Sequence, residues 1–570
     1  MLNKYQKHII SVFFFITVFL FWRLGYACAF SYHEQFQMFL FTKSYFLERM
    51  SLPGGLSDYI SEFLVQFYYF PLFGSLIISG LLLVVQILSY QLMKCFSAKD
   101  FSYILSFLPS ILLWRYLGNE SVLLSFVVSC IAALIFNLGY VSTKKNIFKI
   151  LYASLGVVLF YYFFGAIAFS SCLFFIVYDI KEKNNIITSV LAVLCSVFFA
   201  LICYNLMSYP LFRFFVGINY FRFPMEIPLM QIIIMFFLAV FPLLGLLEKK
   251  LNKKLSVSTL VLIMVFIFFY VPSGFNELNY EVIEYDYLVR TGNWDKIISI
   301  SEKKNPRTPQ SVSCLNLALV EKGMLGDRMF NFFQNGGHGL IPVFTRDFFL
   351  PLSASEIYLR LSMVNSSLRN LFEAQEAIPN YRKSARITKR LAELNILNKD
   401  YLVAQKYLEM LSNTLFYKDF AKDLMKNPEK LMENKFWAEI DKSRYQKDFL
   451  FSESEPDQMF GLLLEQNEKN RLACDYLIAE VLLEKDLQKF INYYTVCQNV
   501  GYKVLPKHFQ EALIYAYYKT HGNLSGIPPI VTTPVVNEFQ QFMQIYSQNP
   551  QAVKNSPLSN SFYAYFFNLK

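Results

Sequence analysis

The sequence predicts an all-α protein with two modules, a polytopic transmembrane helix bundle in residues 1–272 and a soluble helical domain in residues 273–570. Hydrophobic residues make up 55% of the chain and charged residues only 17%, which is more apolar surface than a soluble core usually buries. Nearly every long uncharged run precedes Pro272, whereas the helical stretches rich in both lysine and glutamate follow it. Two modules also suit a chain of this length.

Apolar runs long enough to cross a bilayer as helices recur throughout the first module. The run at residues 150–178 is too long for one straight span and short for two, and Gly165 marks the expected break of a tight hairpin. With that hairpin we expect nine spans; a single pass there would give eight. No convincing cleavage site follows the first run, so we expect a retained anchor. The other predicted spans cover residues 9–30, 70–90, 101–117, 121–140, 187–206, 229–247 and 255–271.

Lysine placement predicts how these spans are oriented in a bacterial inner membrane. With nine spans and a cytoplasmic N-terminus, thirteen lysines fall on the inner side, against six basic residues in the outer loops. This orientation sends residues 273–570 to the periplasm; a single pass at 150–178 would make them cytoplasmic and misplace Lys181 and Lys183. Because the topology accounts for much of the net charge of +10, we expect contact with membrane lipids and none with nucleic acid.

The cysteines do not define a metal site or a disulfide framework. Six of the nine lie inside apolar runs, where a thiol behaves as a small hydrophobic group. Cys314, Cys474 and Cys497 belong to the second module and show no CxxC spacing. A bridge between Cys474 and Cys497 is one option, but the sequence does not favour it.

The second module shows antiparallel pairs of amphipathic helices. In the clearest pair, at residues 391–411, two helices flank a short polar turn that contains Lys399. This stretch resembles a tetratricopeptide repeat, although that family usually has glycine at the position of Lys399; residues 287–297 match in part, with Gly292 in the turn. The resemblance implies an α-solenoid whose concave face binds a peptide or protein partner, or serves only as a packing scaffold. The positions that carry it are Leu391, Ala392, Tyr401, Ala404, Leu408 and Leu411.

Acidic side chains held close to a membrane are the first candidates for chemistry, because ionisable groups are costly there. Residues 31–68, between the first two predicted spans, contain Glu34, Glu48 and Asp58. Residues 34–50 alternate aromatic and polar side chains, which is typical of a helix lying in the interface, and a second amphipathic helix is expected after the two glycines that follow. We expect this segment on the outer side.

Arginine residues near the ends of the predicted spans provide positive charge on the same side. Arg213 and Arg222 lie in an aromatic loop at residues 208–228, and Arg115 follows the third predicted span. These guanidinium groups could hold a phosphate, for which their bidentate geometry is suited. Equally, they could be anchors at the level of the lipid headgroups.

This layout resembles the GT-C superfamily of glycosyltransferases, which use lipid-phosphate-linked sugars, and, with the repeats, the transmembrane tetratricopeptide O-mannosyltransferases of animals. The resemblance is one of architecture over residues 1–272. It implies an acidic general base in the long first outer loop, with Glu34 the first candidate and Asp58 and Glu48 behind it. Many members of the superfamily place two acids together or one residue apart, whereas Glu34 stands beside His33. These acids could instead solvate the faces of interfacial helices.

Three function classes follow from these patterns. The first is a glycosyltransferase that uses a polyprenyl-phosphate-linked sugar at the outer face. The second is a non-enzymatic scaffold whose repeats recruit partners for envelope or surface-polysaccharide assembly, and the third is a transporter of a lipid-linked substrate. The histidines show no metal-ligand spacing, and the glycine-rich turn at residues 336–339 lacks the lysine of a P-loop. We therefore predict no zinc site and no cofactor, and leave a divalent cation open.

Overall fold

The computed structural model describes residues 4–96, 100–250, 265–445, 447 and 449–569. Over these residues the protein is helical and contains no β-strand, only two isolated bridges. The predicted all-α class is therefore confirmed. The chain divides into two compact units. The first unit comprises Met1–Tyr280, Pro379–Arg386 and Met410–Asp419; the second comprises Glu281–Ile378, Ile387–Glu409 and Phe420–Lys570.

The α-helices of the first unit range from six to 24 residues in length. Shorter 3₁₀ segments lie at Gln66–Tyr69, Phe241–Lys250 and Pro272–Gly274, and π-helical turns at Phe21–Gly25 and Tyr152–Gly156. The α-helices are Lys4–Leu20, Ala27–Gln35, Lys43–Met50, Gly55–Val65, Pro71–Lys94, Asp100–Leu105, Leu108–Tyr116, Ser125–Ser142, Asn146–Leu151, Val157–Phe164, Ile167–Glu182, Ile187–Leu206, Leu211–Val216 and Leu229–Val240.

Six helical stretches of the described chain are long and apolar enough to cross a membrane. Their outer faces stay apolar: on Ile187–Leu206, for example, Leu194 is 62% exposed and Phe198 is 68% exposed. Such faces suit lipid rather than water, so the first unit is compatible with a multi-pass membrane protein. The six stretches are Tyr5–Gly25, Pro71–Lys94, Ser125–Ser142, Asn146–Phe164, Ile187–Leu206 and Leu229–Leu246.

The predicted spans at 150–178, 101–117 and 255–271 do not each correspond to one continuous described helix. The run at residues 150–178 is divided at Gly165, as predicted, where φ is +78° and ψ is −153°, a conformation essentially restricted to glycine. The predicted span at 101–117 is not one helix but two short ones, because a break precedes Pro109, which lies in the first turn of the second helix. The predicted span at 255–271 lies mostly outside the described residues, so the count of nine stays a prediction.

The helices of the second unit recur as hairpins. Shorter 3₁₀ segments include Met329–Asn331, Pro428–Glu433, Gln498–Val500, Pro550–Asn555 and Pro557–Asn560. The α-helices that lie wholly or partly in this unit are Glu277–Arg290, Trp294–Lys303, Pro309–Glu321, Leu325–Arg328, Leu350–Arg360, Val364–Glu376, Ala385–Leu397, Tyr401–Ser412, Lys418–Lys426, Lys435–Ser443, Pro456–Gln466, Arg471–Leu483, Leu487–Cys497, Lys507–His521, Thr533–Gln548 and Phe562–Phe566.

Five turns between consecutive helices in this unit share one backbone arrangement. In each, a residue with left-handed φ donates its N–H to the carbonyl three residues before it, and the next residue donates to a carbonyl five residues before itself. This is the Schellman arrangement that satisfies the last carbonyls of a helix. It gives these hairpins a common turn, and their stacking as a tetratricopeptide-like solenoid stays a prediction. The left-handed residues are Gly292, Gly323, Ser362, Lys399 and Lys485.

One of these hairpins carries a disulfide between Cys474 and Cys497, whose Cα atoms are 5.9 Å apart. The two cysteines lie in neighbouring antiparallel helices, Arg471–Leu483 and Leu487–Cys497, which bring residues 23 positions apart within bonding reach. The sequence-based preference against this bridge is therefore wrong. Spacing along the chain did not reveal the pairing because it depends on the fold of the hairpin.

Candidate functional site

Residues 31–68 form a broken helical segment of the first unit. The predicted single helix over residues 34–50 is wrong, because one helix ends at Gln35 and the next begins only at Lys43. In the extended stretch between them, the Met38 N–H donates to the Lys383 carbonyl at 3.1 Å and the Phe41 N–H donates to the Asn413 carbonyl at 2.8 Å. These long-range bonds replace the intrahelical bonds that a continuous helix would have made.

The residues that accept those bonds lie in two return segments, Pro379–Arg386 and Met410–Asp419, which belong to the first unit although they are distant in sequence. The second segment also contributes aromatic contacts, since the Phe416 ring stacks on Tyr69 with centroids 5.1 Å apart. Both return segments therefore complete the structure around residues 31–68.

The predicted second amphipathic helix is present as Gly55–Val65, and it positions two buried carboxylates. Asp58 and Glu62 are four residues apart and so lie on the same face. Arg382 of the first return segment bridges them, with Nη2 2.6 Å from Asp58 Oδ1 and Nη1 2.9 Å from Glu62 Oε1. All three side chains are at most 2% exposed.

A second guanidinium completes what we call the carboxylate cluster: Asp58, Glu62, Arg49, Arg382 and Tyr45. Arg49 Nε lies 2.8 Å from Glu62 Oε2 and 3.9 Å from Asp58 Oδ2, and the Tyr45 hydroxyl donates to Glu62. Two carboxylates thus face two guanidinium groups, so the buried charges balance. Such balance is what makes a buried ion pair tolerable.

The electrostatics of the cluster follow from its burial. Burial raises the pKa of Asp58 to about 6, although Arg382 opposes the shift. Burial alone would lower the pKa of Arg382, but Asp58 and Glu62 together raise it. The guanidinium therefore stays charged while Asp58 takes up a proton near pH 6.

Glu34, the first predicted base, lies near the end of helix Ala27–Gln35 and is 4% exposed. Its Oε1 accepts a hydrogen bond of 2.8 Å from the Tyr417 hydroxyl of the second return segment. The neighbouring Gln35 accepts a bond of 3.0 Å from Arg386. Beside them, burial and the charge of Arg222 lower the pKa of His33 to about 3. Glu34 is thus held within a packed polar region.

The other predicted site residues are distributed differently. Glu48 has a side chain that is 60% exposed, and it lies 3.4 Å from Arg49 Nη1. Arg222 is 2% exposed, and its guanidinium lies over the rings of Tyr32 and Phe36, with 5.5 Å and 5.3 Å to the centroids. Burial lowers the pKa of Arg222.

The remaining two arginines, Arg213 and Arg115, donate hydrogen bonds to nearby backbone and hydroxyl groups. Arg213 is fully buried and donates to the carbonyls of Gly217 at 3.2 Å and Phe223 at 2.5 Å, so it stabilises its own loop. Arg115 donates to the Ser273 hydroxyl at 3.2 Å. Within the described contacts, neither arginine meets Glu34, Asp58 or Glu48. The proposal that these arginines hold a lipid phosphate stays a prediction.

Sequence reasoning did not choose Glu62, Arg49, Tyr45, Arg382 or Tyr417 as candidate site residues. The spacing of Asp58 and Glu62 on one helix was a local signal for a shared face. Arg382 has no such signal, because it is separated from Glu62 by 320 residues and lies in what the sequence presents as a soluble domain.

A separate buried ion pair joins three helical segments elsewhere in the first unit. Lys149 Nζ lies 2.7 Å from Asp179 Oδ1, and the Tyr140 hydroxyl donates to Asp179 Oδ2 at 2.6 Å. Asp179 is fully buried. Because each polar group has a partner, this pair serves to hold its helices together.

No group of three or more histidine, cysteine, aspartate or glutamate residues is placed to hold a metal ion in the described parts of the chain. The carboxylate cluster instead uses guanidinium groups as its counter-charges. Its chemistry in this arrangement is that of a neutral, solvent-excluded ion network.

The chain belongs to a family of unknown function, DUF6057, whose model matches residues 3–568. No curated protein and no solved structure shows a significant match to it.

Proposed function

We propose that this member of the family is a non-enzymatic membrane scaffold. In this proposal the first unit anchors the protein in a bacterial inner membrane, and the helical hairpins of the second unit recruit a protein partner for assembly of the cell envelope or a surface polysaccharide. The carboxylate cluster then has a structural role, because it attaches the return segments to residues 31–68.

One observation carries this proposal: the first two candidate bases, Glu34 and Asp58, are already bound and buried, and only Glu48 is exposed. Asp58 and Glu62 are 1% exposed and paired with guanidinium groups, and Glu34 accepts from Tyr417. A general base must lie within hydrogen-bond reach of the acceptor hydroxyl. These carboxylates would first have to leave their partners, whereas a structural cluster needs no such step.

A second observation supports the partner-binding role of the second unit. Helix Tyr401–Ser412 begins with three consecutive apolar side chains that are exposed: Tyr401 at 41%, Leu402 at 86% and Val403 at 42%. A run of exposed apolar residues is unusual unless it serves a function such as binding.

The disulfide supports placing the second unit at the outer face. Structural disulfides persist in oxidising compartments such as the periplasm and are rare in the cytosol. The Cys474–Cys497 bridge therefore favours the orientation that nine spans would give.

The alternative functions predict different outcomes. A GT-C-like glycosyltransferase would need Glu34, Asp58 or Glu48 as a base and a polyprenyl-phosphate-linked sugar as donor. A transporter of a lipid-linked substrate would need a path for a charged headgroup through the first unit. The scaffold needs neither, so neutralising Glu34 should leave its function intact.

Site-specific photo-crosslinking in intact cells tests the scaffold. A photoreactive residue at Leu402 should give a discrete crosslinked product, and the same residue at Lys435, whose side chain is 90% exposed, serves as the control. The Glu34→Gln variant should give the same product, since the glutamine oxygen can still accept from Tyr417. Absence of a product at Leu402, together with sugar transfer by the purified protein that Glu34→Gln abolishes, would replace the scaffold by the enzyme.

A further inference from the structure

A cleft of about 320 Å³ lies within the second unit, between the glycine-rich turn at residues 336–339 and the hairpin that carries Glu480. Its volume falls at the lower end of the range of small-molecule sites, roughly 300–1,000 Å³. Neither the carboxylate cluster nor the exposed apolar residues of helix Tyr401–Ser412 belong to it.

Glu480 is the unusual residue of this cleft. Its side chain lines the cleft and is only 6% exposed. No hydrogen bond or ion pair to its carboxylate is found among the described residues. A buried carboxylate without a partner is costly in its charged form, so Glu480 is a candidate to pair with a cation supplied by a ligand.

The glycine-rich turn lies close to this carboxylate. A Cβ atom on Gly337 would lie 2.6 Å from Glu480 Oε1, so a larger residue there would push the carboxylate aside. The Gly337 N–H does not bind Glu480; it donates to Glu484 Oε1 at 3.2 Å. The turn therefore encloses Glu480 without neutralising it.

The charge around the cleft is strongly negative. Five acidic residues line it, together with one lysine, Lys489, and one histidine, His338. That lysine lies 2.7 Å from Asp457 Oδ2, which also accepts from the Tyr493 hydroxyl. The ammonium group of Lys489 is thus already paired with a carboxylate. The remaining acidic side chains give the cleft a negative potential, which favours a positively charged ligand. The five acids are Glu453, Asp457, Glu480, Glu484 and Asp486.

Apolar side chains form the rest of the wall. Ile341, Val343, Phe451 and Phe460 line the cleft, and Phe460 is fully buried. Such walls suit the methylene stem of a long cationic side chain, which buries its alkyl part and presents its charge at the tip. A metal ion would gain nothing from them.

We propose that this cleft binds the ammonium or guanidinium group at the end of an alkyl chain, with Glu480 as the residue that pairs with its charge. The ligand could be a free diamine or basic amino acid, or a lysine or arginine side chain of a protein partner. The second source rests on the proposed scaffold function; the first does not.

Proton release accompanies this binding. Burial, followed by the charges of Glu484 and Asp457, raises the pKa of Glu480 to about 7, and Lys489 opposes the shift. Glu453, Asp486 and His338 also face the cleft. Near neutral pH the cation therefore displaces a proton from Glu480, and affinity rises as the pH is raised from 6 to 8.

Isothermal titration calorimetry on the full-length protein in nanodiscs tests the site. The probes are putrescine and a ten-residue peptide with one central lysine, and the Nε-acetylated peptide is the control without charge. We expect wild-type protein to bind at least one cationic probe and not the acetylated peptide. Binding of putrescine identifies a free amine as a sufficient ligand, and binding of the peptide alone identifies a partner side chain.

Three variants locate the binding. Glu480→Gln removes the charge at constant shape and should weaken binding at least tenfold. Glu465→Gln makes the same change at an exposed position outside the cleft and should bind normally. Val343→Trp, at a position 47% exposed, should block the cleft without touching Glu480. The proposal fails if wild type binds neither cationic probe, or if Glu480→Gln and Val343→Trp both bind as wild type does. Binding of putrescine would stand even if the scaffold were disproved.

Discussion

Replacing Arg382 with glutamine removes one of two positive charges from the carboxylate cluster and leaves two buried carboxylates facing Arg49. Arg382 makes ion pairs of 2.6 Å with Asp58 and 2.9 Å with Glu62 while only 2% exposed. Removing one partner from a buried pair costs about 3–5 kcal/mol. With roughly 2–4 °C of Tm per kcal/mol for domains of moderate size, Tm should fall by roughly 6–20 °C.

The fall in Tm caused by Arg382→Gln should be larger at high pH than at low pH. Without the guanidinium, the pKa of Asp58 should rise above its wild-type value of about 6, so a proton replaces the lost charge. The destabilisation should therefore be smaller at pH 5 than at pH 8. Thermal unfolding of the purified protein in nanodiscs at both pH values measures it, with Arg346→Gln, at an exposed arginine, as the control. A Tm within 2 °C (about 1 kcal/mol) of wild type at pH 8 would refute this account of the cluster.

The stability of the fold should also respond to changes at Asp58, at Gly165 and at the disulfide. Because the pKa of folded Asp58 is raised from 3.8 to about 6, this group should add stability progressively as the pH falls from about 6 towards 4, and Asp58→Asn should abolish that gain in thermal unfolding. Gly165→Ala should lower Tm, since φ is +78° and the new Cβ would lie 2.9 Å from the Tyr220 hydroxyl; a Tm equal to wild type would show that the turn adapts. The double variant Cys474→Ser with Cys497→Ser should lower the free energy of unfolding by about 2–4 kcal/mol. Maleimide labelling of the denatured, unreduced wild type should leave Cys474 and Cys497 unmodified, because their sulfur atoms are bonded to each other.

The helical class was predictable because it depends on local patterns. Apolar length alone located the helices Pro71–Lys94 and Ile187–Leu206, and a single glycine located the turn at Gly165. The span predicted at 101–117 was not found as one helix, because hydropathy does not report the break that precedes Pro109.

The candidate site was less predictable because its partners are distant in sequence. Asp58 and Glu34 could be chosen from their position after the first span, but their partners Arg382 and Tyr417 come from segments more than 320 residues away. The predicted helix over residues 34–50 was wrong for the same reason. Only the folded chain shows that Lys383 and Asn413 accept hydrogen bonds from the extended stretch.

The most direct test of the central claim, that the buried carboxylates are structural, is the double variant Asp58→Asn with Arg382→Gln. It removes one charge of each sign and leaves Glu62 paired with Arg49 at 2.8 Å. We expect its Tm to lie above that of Arg382→Gln and photo-crosslinking at Leu402 to be unchanged from wild type. A double variant that is stable but gives no crosslinked product, or that loses a sugar transfer which the wild type performs, would contradict the claim and assign Asp58 a role in chemistry.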